Sequence, residues 1–167
     1  MKNLYLILFL LLIVANIIAY RSIITHSILE VSVLEVGDKG DSILIRTPNG
    51  KTILIDTGPD ASILRALGTT LPQWNRNIDF VALTSSNIGS TGGLPEVTGR
   101  YHAPTPILFG TVDIPYGSRI TINNVLIDIL YIGTMEISYS ATSLYISSTT
   151  PKGVYISDGK TIKKPTQ

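Results

Sequence analysis

Apolar residues run almost unbroken from Leu4 to Ala19, with Tyr5 and Asn16 the polar interruptions and no charge between Asn3 and Tyr20. A helix that crosses the hydrocarbon core needs about 20 mostly apolar residues, a length reached by continuing through Ile23 and Ile24 past Arg21. Residues 1–24 therefore read as a single membrane anchor and 25–30 as a linker. A cleaved signal peptide is the competing reading, because Lys2 supplies a basic start, but no Ala-x-Ala site follows. Lys2 and Arg21 balance across the span, and a slight preference for the N terminus inside places the remaining chain outside the cytoplasm.

Past residue 30 the period changes from continuous to alternating. Residues 31–36, 42–46 and 51–56 predict three strands, the last two joined at Thr47-Pro48-Asn49-Gly50, where Asn-Gly suits a type I′ hairpin. Asp60 predicts a helix N-cap before residues 61–67, with Gly68 as the stop. The run Phe80-Val81-Ala82-Leu83 predicts a buried strand that empties into a small-residue loop and a helix opening at Gly93-Leu94-Pro95. A short helix over 94–101 is weakened by Thr98 and Gly99. Strands follow at 107–109, 119–122 and 125–131, with a turn at Asn123-Asn124. Two more, at 143–147 and 154–157, flank a turn at 150–153, and the tail from Lys160 to Gln167 is polar. Strands mixed with helices in this order describe an α/β layer.

Composition narrows the chemistry. The net charge is +1 and only 15% of residues are charged, so a polybasic nucleic-acid binder is excluded. There is no cysteine, which removes disulfides, thiol nucleophiles and thiolate metal sites. His26 and His102 are the only histidines, too few for a multi-histidine centre.

The loop after residue 83 is where an α/β scaffold puts chemistry, yet between Thr84 and Leu94 it offers hydroxyls, one carboxamide and glycines. A serine nucleophile at Ser85, Ser86 or Ser90 needs an orienting base, and His102 has no triad context. Gly89, Ser90, Thr91 and Gly92 form a weak anion-loop candidate, since backbone N–H groups before a helix attract anions. The bland reading is a turn and N-cap, favoured by the absence of a P-loop lysine. Asp41, Asp56 and Asp158 are equally read as cation ligands or as turn formers. Trp74 and the tyrosines at 131, 139, 145 and 155 read as packing residues rather than base-stacking ones, given so few cations.

Residues 36–45, followed by Ile53-Leu54-Ile55-Asp56-Thr57-Gly58-Pro59, resemble the opening of the metallo-β-lactamase-type domain in the ComEC family of competence DNA channels. Residues 64–68, 71–79 and Leu83-Thr84 continue the likeness, and weaker similarity through 117–120, 125–131 and 143–146 extends it over most of 31–159. That family's metal loop reads His-x-(His or Asp)-x-Asp-His-x-x-Gly-Leu. Aligned on Leu83-Thr84 and Gly93-Leu94, its four ligand positions fall on Ser85, Asn87, Gly89 and Ser90. The family's metal-bridging Thr-Gly-Asp faces Ser157-Asp158-Gly159, so Asp158 is a possible remnant. The later His-His-Gly segment has no counterpart, and Asp38-Lys39 carries a one-residue insertion. Neutral hydroxyl and carboxamide oxygens are poor zinc donors, and without a metal nothing lowers a water's pKa toward neutrality.

The expectation is a truncated αββα sandwich of metallo-β-lactamase type behind one transmembrane helix, with no metal, cofactor or catalytic residue and a binding or scaffolding role. The alternative is one half of a split or decayed relative, completed by a protein partner and betrayed by exposed apolar edge strands near the C terminus. A nucleic-acid partner is implied by the resemblance alone.

Overall fold

The computed structural model describes residues 2–24, 28–37 and 40–164, and within the first helix the side chains of residues 5–17. Helix α1 (Lys2–Ile24) matches the apolar run. Its described large apolar side chains, from Tyr5 to Ile17, are all exposed, and the Asn16 carboxamide donates to the Leu12 carbonyl one turn back. Among the described residues no helix is long and apolar enough to cross a membrane. His26, the Asp38-Lys39 insertion and the last three residues lie outside the described ones.

The rest forms two sheets and a helical layer. After β1 (Leu29–Val33), β2 (Ile43–Arg46) and β3 (Thr52–Ile55) come α2 (Ser62–Thr70) and β4 (Phe80–Leu83). Helices α3 (Ile88–Thr91) and α4 (Leu94–Arg100) lead to β5 (Ile107–Leu108) and then to β6 (Arg119–Ile122), β7 (Val125–Tyr131), β8 (Thr134–Tyr139) and β9 (Thr142–Ile146). The last strands are β10 (Gly153–Ser157) and β11 (Ile162–Lys163). One sheet runs β11-β10-β1-β2-β3-β4-β5, and the other runs β6-β7-β8-β9. Among these strands only the β3–β4 and β4–β5 pairs are parallel.

Period-two alternation builds the layers. Ile43, Ile45, Ile53 and Ile55 face Ile127, Ile129, Met135 and Ile137 of the four-stranded sheet in one core. Leu44 and Leu54, on the other face, pack with Ile63, Leu67 and Val97 of the helices in a second core. Strands buried on both faces read as near-continuous apolar runs, as β3 does. The outer face of the four-stranded sheet is mixed, with Leu126, Leu130 and Tyr145 among polar residues. The facing residues Arg119, Asp128, Glu136 and Tyr145 form one cross-strand row, and Arg119 grips Asp128 through two bonds of 2.6 and 2.8 Å. The described residues form an αββ arrangement.

Several expectations shift. The hairpin forms, but Pro48 and Asn49 take the central turn positions and Gly50 alone has positive φ, at +77°. Thr47 and Lys51 close a three-residue loop, the type I turn with a trailing left-handed residue rather than type I′. The Asp60 carboxylate accepts from the Ser62 N–H at 2.8 Å, although α2 begins one residue later than a cap at Asp60 implies. Gly68 does not stop α2, which ends at Leu71 in extended conformation because Pro72 disfavours a helical predecessor. Strand β8 and helix α3 go beyond the elements that the pattern predicts, and Ile162–Lys163 pairs within a tail that reads only as polar. The strands on either side of residues 150–153 do not form a hairpin: β9 belongs to one sheet and β10 to the other.

Candidate functional site

Pairing β3 with β4 in parallel brings Asp56 beside Thr84, since both follow the strand ends at which Ile55 meets Ala82. Asp56 is buried and sits at φ +56°, a conformation that Asp tolerates better than most residues. Its N–H donates to the Ala82 carbonyl, and its own carbonyl accepts from the Ser42 hydroxyl at 2.8 Å. Thr84 reaches both carboxylate oxygens. The Thr84 N–H donates to Oδ1 at 2.7 Å and the Thr84 hydroxyl to Oδ2 at 2.6 Å.

Thr84 in turn joins the two sheets. Its hydroxyl oxygen accepts from the Gly133 N–H at 3.0 Å, and its carbonyl accepts from the Tyr116 hydroxyl at 2.7 Å. Gly133, at φ +61°, sits in the tight β7–β8 turn. The register break between Ile129 and Tyr131 aims that turn back toward the first sheet, as bulges do. Tyr131 lies against Tyr116 with ring centroids 5.1 Å apart.

Burial pushes the Asp56 carboxyl up to about 6, against the opposing bonds from Thr84 and Ser90 and with a small added push from Asp41. Asp41 itself is held by Lys152 Nζ at 3.0 Å. Burial also raises the Tyr116 phenol, helped by Tyr131 and Asp56.

The four positions aligned with metal ligands serve the loop itself. Ser85 Oγ accepts from the Asn87 N–H at 2.9 Å. The Asn87 carboxamide oxygen caps α3 by accepting from the Ser90 N–H at 3.1 Å. The Ser90 carbonyl accepts both the N–H and the hydroxyl of Thr57. Gly89 contributes backbone only, and its carbonyl lies near Gly40, where an added Cβ would stand 3.1 Å away.

Most of the N–H groups of the anion-loop candidate, Gly89, Ser90, Thr91 and Gly92, have partners within the fold. The N–H groups of Ser90, Thr91, Gly92 and Gly93 all end on protein acceptors. Glycine is required for packing: a Cβ on Gly92 would stand 2.0 Å from the Pro59 carbonyl oxygen, and one on Gly93 2.4 Å from that of Thr57.

Asp158 is at the far end of the sheet. Strand β10 runs antiparallel to β1, so Ser157 meets Leu29 while the loop lies beyond the other end of the strands. The Asp158 carboxylate accepts from the N–H groups of Lys160 and Thr161 at 2.8 Å each, the work of a turn former. His102 is also remote from the loop serines. It bridges Asn77 just before β4, a strand of four residues, about 13 Å, from the loop. Among the described residues no Ser–His pair forms at the loop.

Among the described residues no three His, Asp or Glu groups converge as a metal site. The donor chemistry agrees. Zinc needs imidazole, thiolate or available carboxylate, whereas the side chains here are neutral oxygens engaged in caps and one carboxylate with both oxygens bonded. The residues present do not fit the metal centre that the resemblance implies. Sequence reasoning missed the Asp56–Thr84–Gly133 node; the signal was a buried-strand Asp following an apolar run beside a second run ending in Thr.

No protein-family model matches this chain, and no curated protein does. Solved structures do. A metallo-beta-lactamase of Cronobacter sakazakii with a HARLDQ motif is similar over 64% of this chain and 52% of its own, at 16% identity and TM-score 0.48. The metallo-beta-lactamase fold protein YhfI from Bacillus subtilis is similar over 81% and 60%, at 14% identity and TM-score 0.45. The Rm3 metallo-beta-lactamase is similar over 70% and 59%, at 14% identity and TM-score 0.47. This chain spans between about half and three fifths of those chains. At these TM-scores the likeness carries no argument about what it does.

Proposed function

We propose that this chain is a membrane-anchored relative of the metallo-β-lactamase-type domain of ComEC proteins that binds or scaffolds without metal catalysis. The observation that carries the reading is the closed hydrogen-bond accounting around Asp56 and Thr84. The side chains of Ser85 and Asn87, and of Asp56 and Thr84 beneath them, are used to hold the loop and the two sheets together. A hydrolytic centre needs donors aimed at an ion or a nucleophile beside a base, and here the same positions are structural.

The exposed surface of α1, apolar from Tyr5 to Ile17 but for Asn16, supports the anchor, because a helix apolar on nearly every side must be buried in protein or in lipid. We place the domain outside the cytoplasm. The row of Arg119, Asp128 and Glu136 across the outer face of the four-stranded sheet supports a self-contained αββ unit over a split half awaiting a helical layer. Strand β11, short and ending in an exposed Lys163, likewise resembles a guarded edge more than a seam.

The test is calorimetric titration of zinc and manganese into the full chain in nanodiscs, with sedimentation to report its assembly state. No saturable metal heat from a cooperatively folded monomer is the expected result. Tight stoichiometric binding would overturn the metal-free reading, and a monomer that folds only with a second polypeptide would favour the split one.

A further inference from the structure

The two ends of the seven-stranded sheet carry opposite charge. At the loop end stand Glu35, Asp41, Asp56, Asp60, Glu96 and Asp113, against Arg65 and Lys152. At the other end, where β1 and β4 begin and β10 finishes, stand Arg46, Lys51, Arg76, Arg100, Lys160 and Lys163, against Glu30, Asp79 and Asp158. Glu30 and Asp79 hold Arg46 and Lys51 at 2.8 Å each. The other four cations have no ion pair among the described residues, and all are exposed. The single tryptophan of the chain, Trp74, lies in the connection from α2 to β4 at this same end and is 86% exposed.

Chain connectivity puts the basic end next to the helix. Helix α1 stops at Ile24 and β1 starts at Leu29, so the chain between them spans at most about 18 Å. Leu29 belongs to the basic end, and Ser157, its partner, leads directly into the turn that carries Lys160.

We propose that this basic, Trp74-bearing end is a docking surface for the anionic phospholipid headgroups of the bilayer that holds α1, with the acidic loop end turned away from the membrane. The proposal rests on reading α1 as an anchor. Lys and Arg near an anionic surface each favour contact by about fivefold, and tryptophan settles at headgroup depth.

Trp74 is its own reporter. The full chain is reconstituted into vesicles of phosphatidylcholine and into vesicles containing about one third phosphatidylglycerol, the fraction setting the negative surface potential. With phosphatidylglycerol, Trp74 emission shifts to the blue, is quenched by brominated lipid, and reverts at about 0.5 M salt, where screening is strong. Lys160→Gln and Lys163→Gln each lower the contact equilibrium by about fivefold. A chain that withstands alkaline carbonate in both vesicle types, with Trp74 equally open to acrylamide in each, overturns the docking surface and leaves the anchor standing. A chain stripped from both overturns the anchor and the proposal with it. Quenching by single-stranded DNA in place of anionic lipid also overturns it, and makes this end a nucleic-acid surface.

Discussion

Replacing Thr84 with Val isolates the bond that closes the candidate site. The two side chains are nearly isosteric, so packing is kept while the hydroxyl is lost. That hydroxyl donates to Asp56 Oδ2 at 2.6 Å and accepts from the Gly133 N–H at 3.0 Å, both in buried surroundings. A hydrogen bond to a charged group contributes about 1.5–3 kcal/mol, and stranding a buried N–H costs about 1–3 kcal/mol. Because the Gly133 turn can move out to water, a combined loss of about 3–4 kcal/mol at pH 8 is expected. The loss depends on pH with a definite sign. Thr84 opposes the burial that raises Asp56, so its removal lifts that carboxyl further, and the carboxylate strained at pH 8 is largely protonated at pH 5. Destabilisation is therefore larger at pH 8 than at pH 5. Urea unfolding of the full chain in nanodiscs, followed by far-ultraviolet circular dichroism, measures both, with Asp56→Asn and the double variant completing the cycle. A loss below about 1 kcal/mol, the value of an ordinary exposed hydrogen bond, or one independent of pH, would refute the reasoning.

Two glycines make opposite predictions. Gly92→Ala meets the Pro59 carbonyl and should cost about 3 kcal/mol or more by overpacking, whereas Gly68→Ala, in α2 with nothing within 4 Å of an added Cβ, should gain about 0.5–1 kcal/mol; thermal melts of both decide it. Asn87→Ala removes the cap on α3 and should cost about 1 kcal/mol in the same melts, with Asn87→Asp largely preserving stability. In the wild-type chain, Asp56 binds its proton more tightly folded than unfolded, so its titration lowers stability as pH rises from about 4 to 6. The rise from 3.8 to about 6 corresponds to about 3 kcal/mol. Asp56→Asn should flatten that slope, which urea midpoints across this window would register.

Much of the fold is legible because burial on one face or two leaves a period in the sequence. Strands β2, β3, β4 and β7 show in their isoleucines, leucines and valines, and α2 in its spaced apolar positions. Strand β8 carries the same alternation in Met135, Ile137 and Tyr139, diluted by Thr134, Glu136 and Ser138 on the solvent face. Strand β11 has two residues and exists only through its partner. That Ser85, Asn87, Gly89 and Ser90 carry no imidazole or carboxylate is readable directly, but what those residues do is not. Asn87 as a cap depends on a one-turn helix too short to show a period. The Asp56–Thr84 contact spans 28 residues and needs the parallel pairing of β3 and β4. The displacement of Asp158 follows from β10 joining β1 rather than β9, a choice made by the packing of two sheets and not by any local motif.

The central claim is that the loop after β4 closes on Asp56 without an ion. Metal content of the full chain, purified without chelator and measured by inductively coupled plasma mass spectrometry, tests it most directly. The account predicts zinc and manganese at background level relative to protein, unchanged after dialysis against either ion. One or more ions retained per chain, and lost on Asp56→Asn, would contradict it.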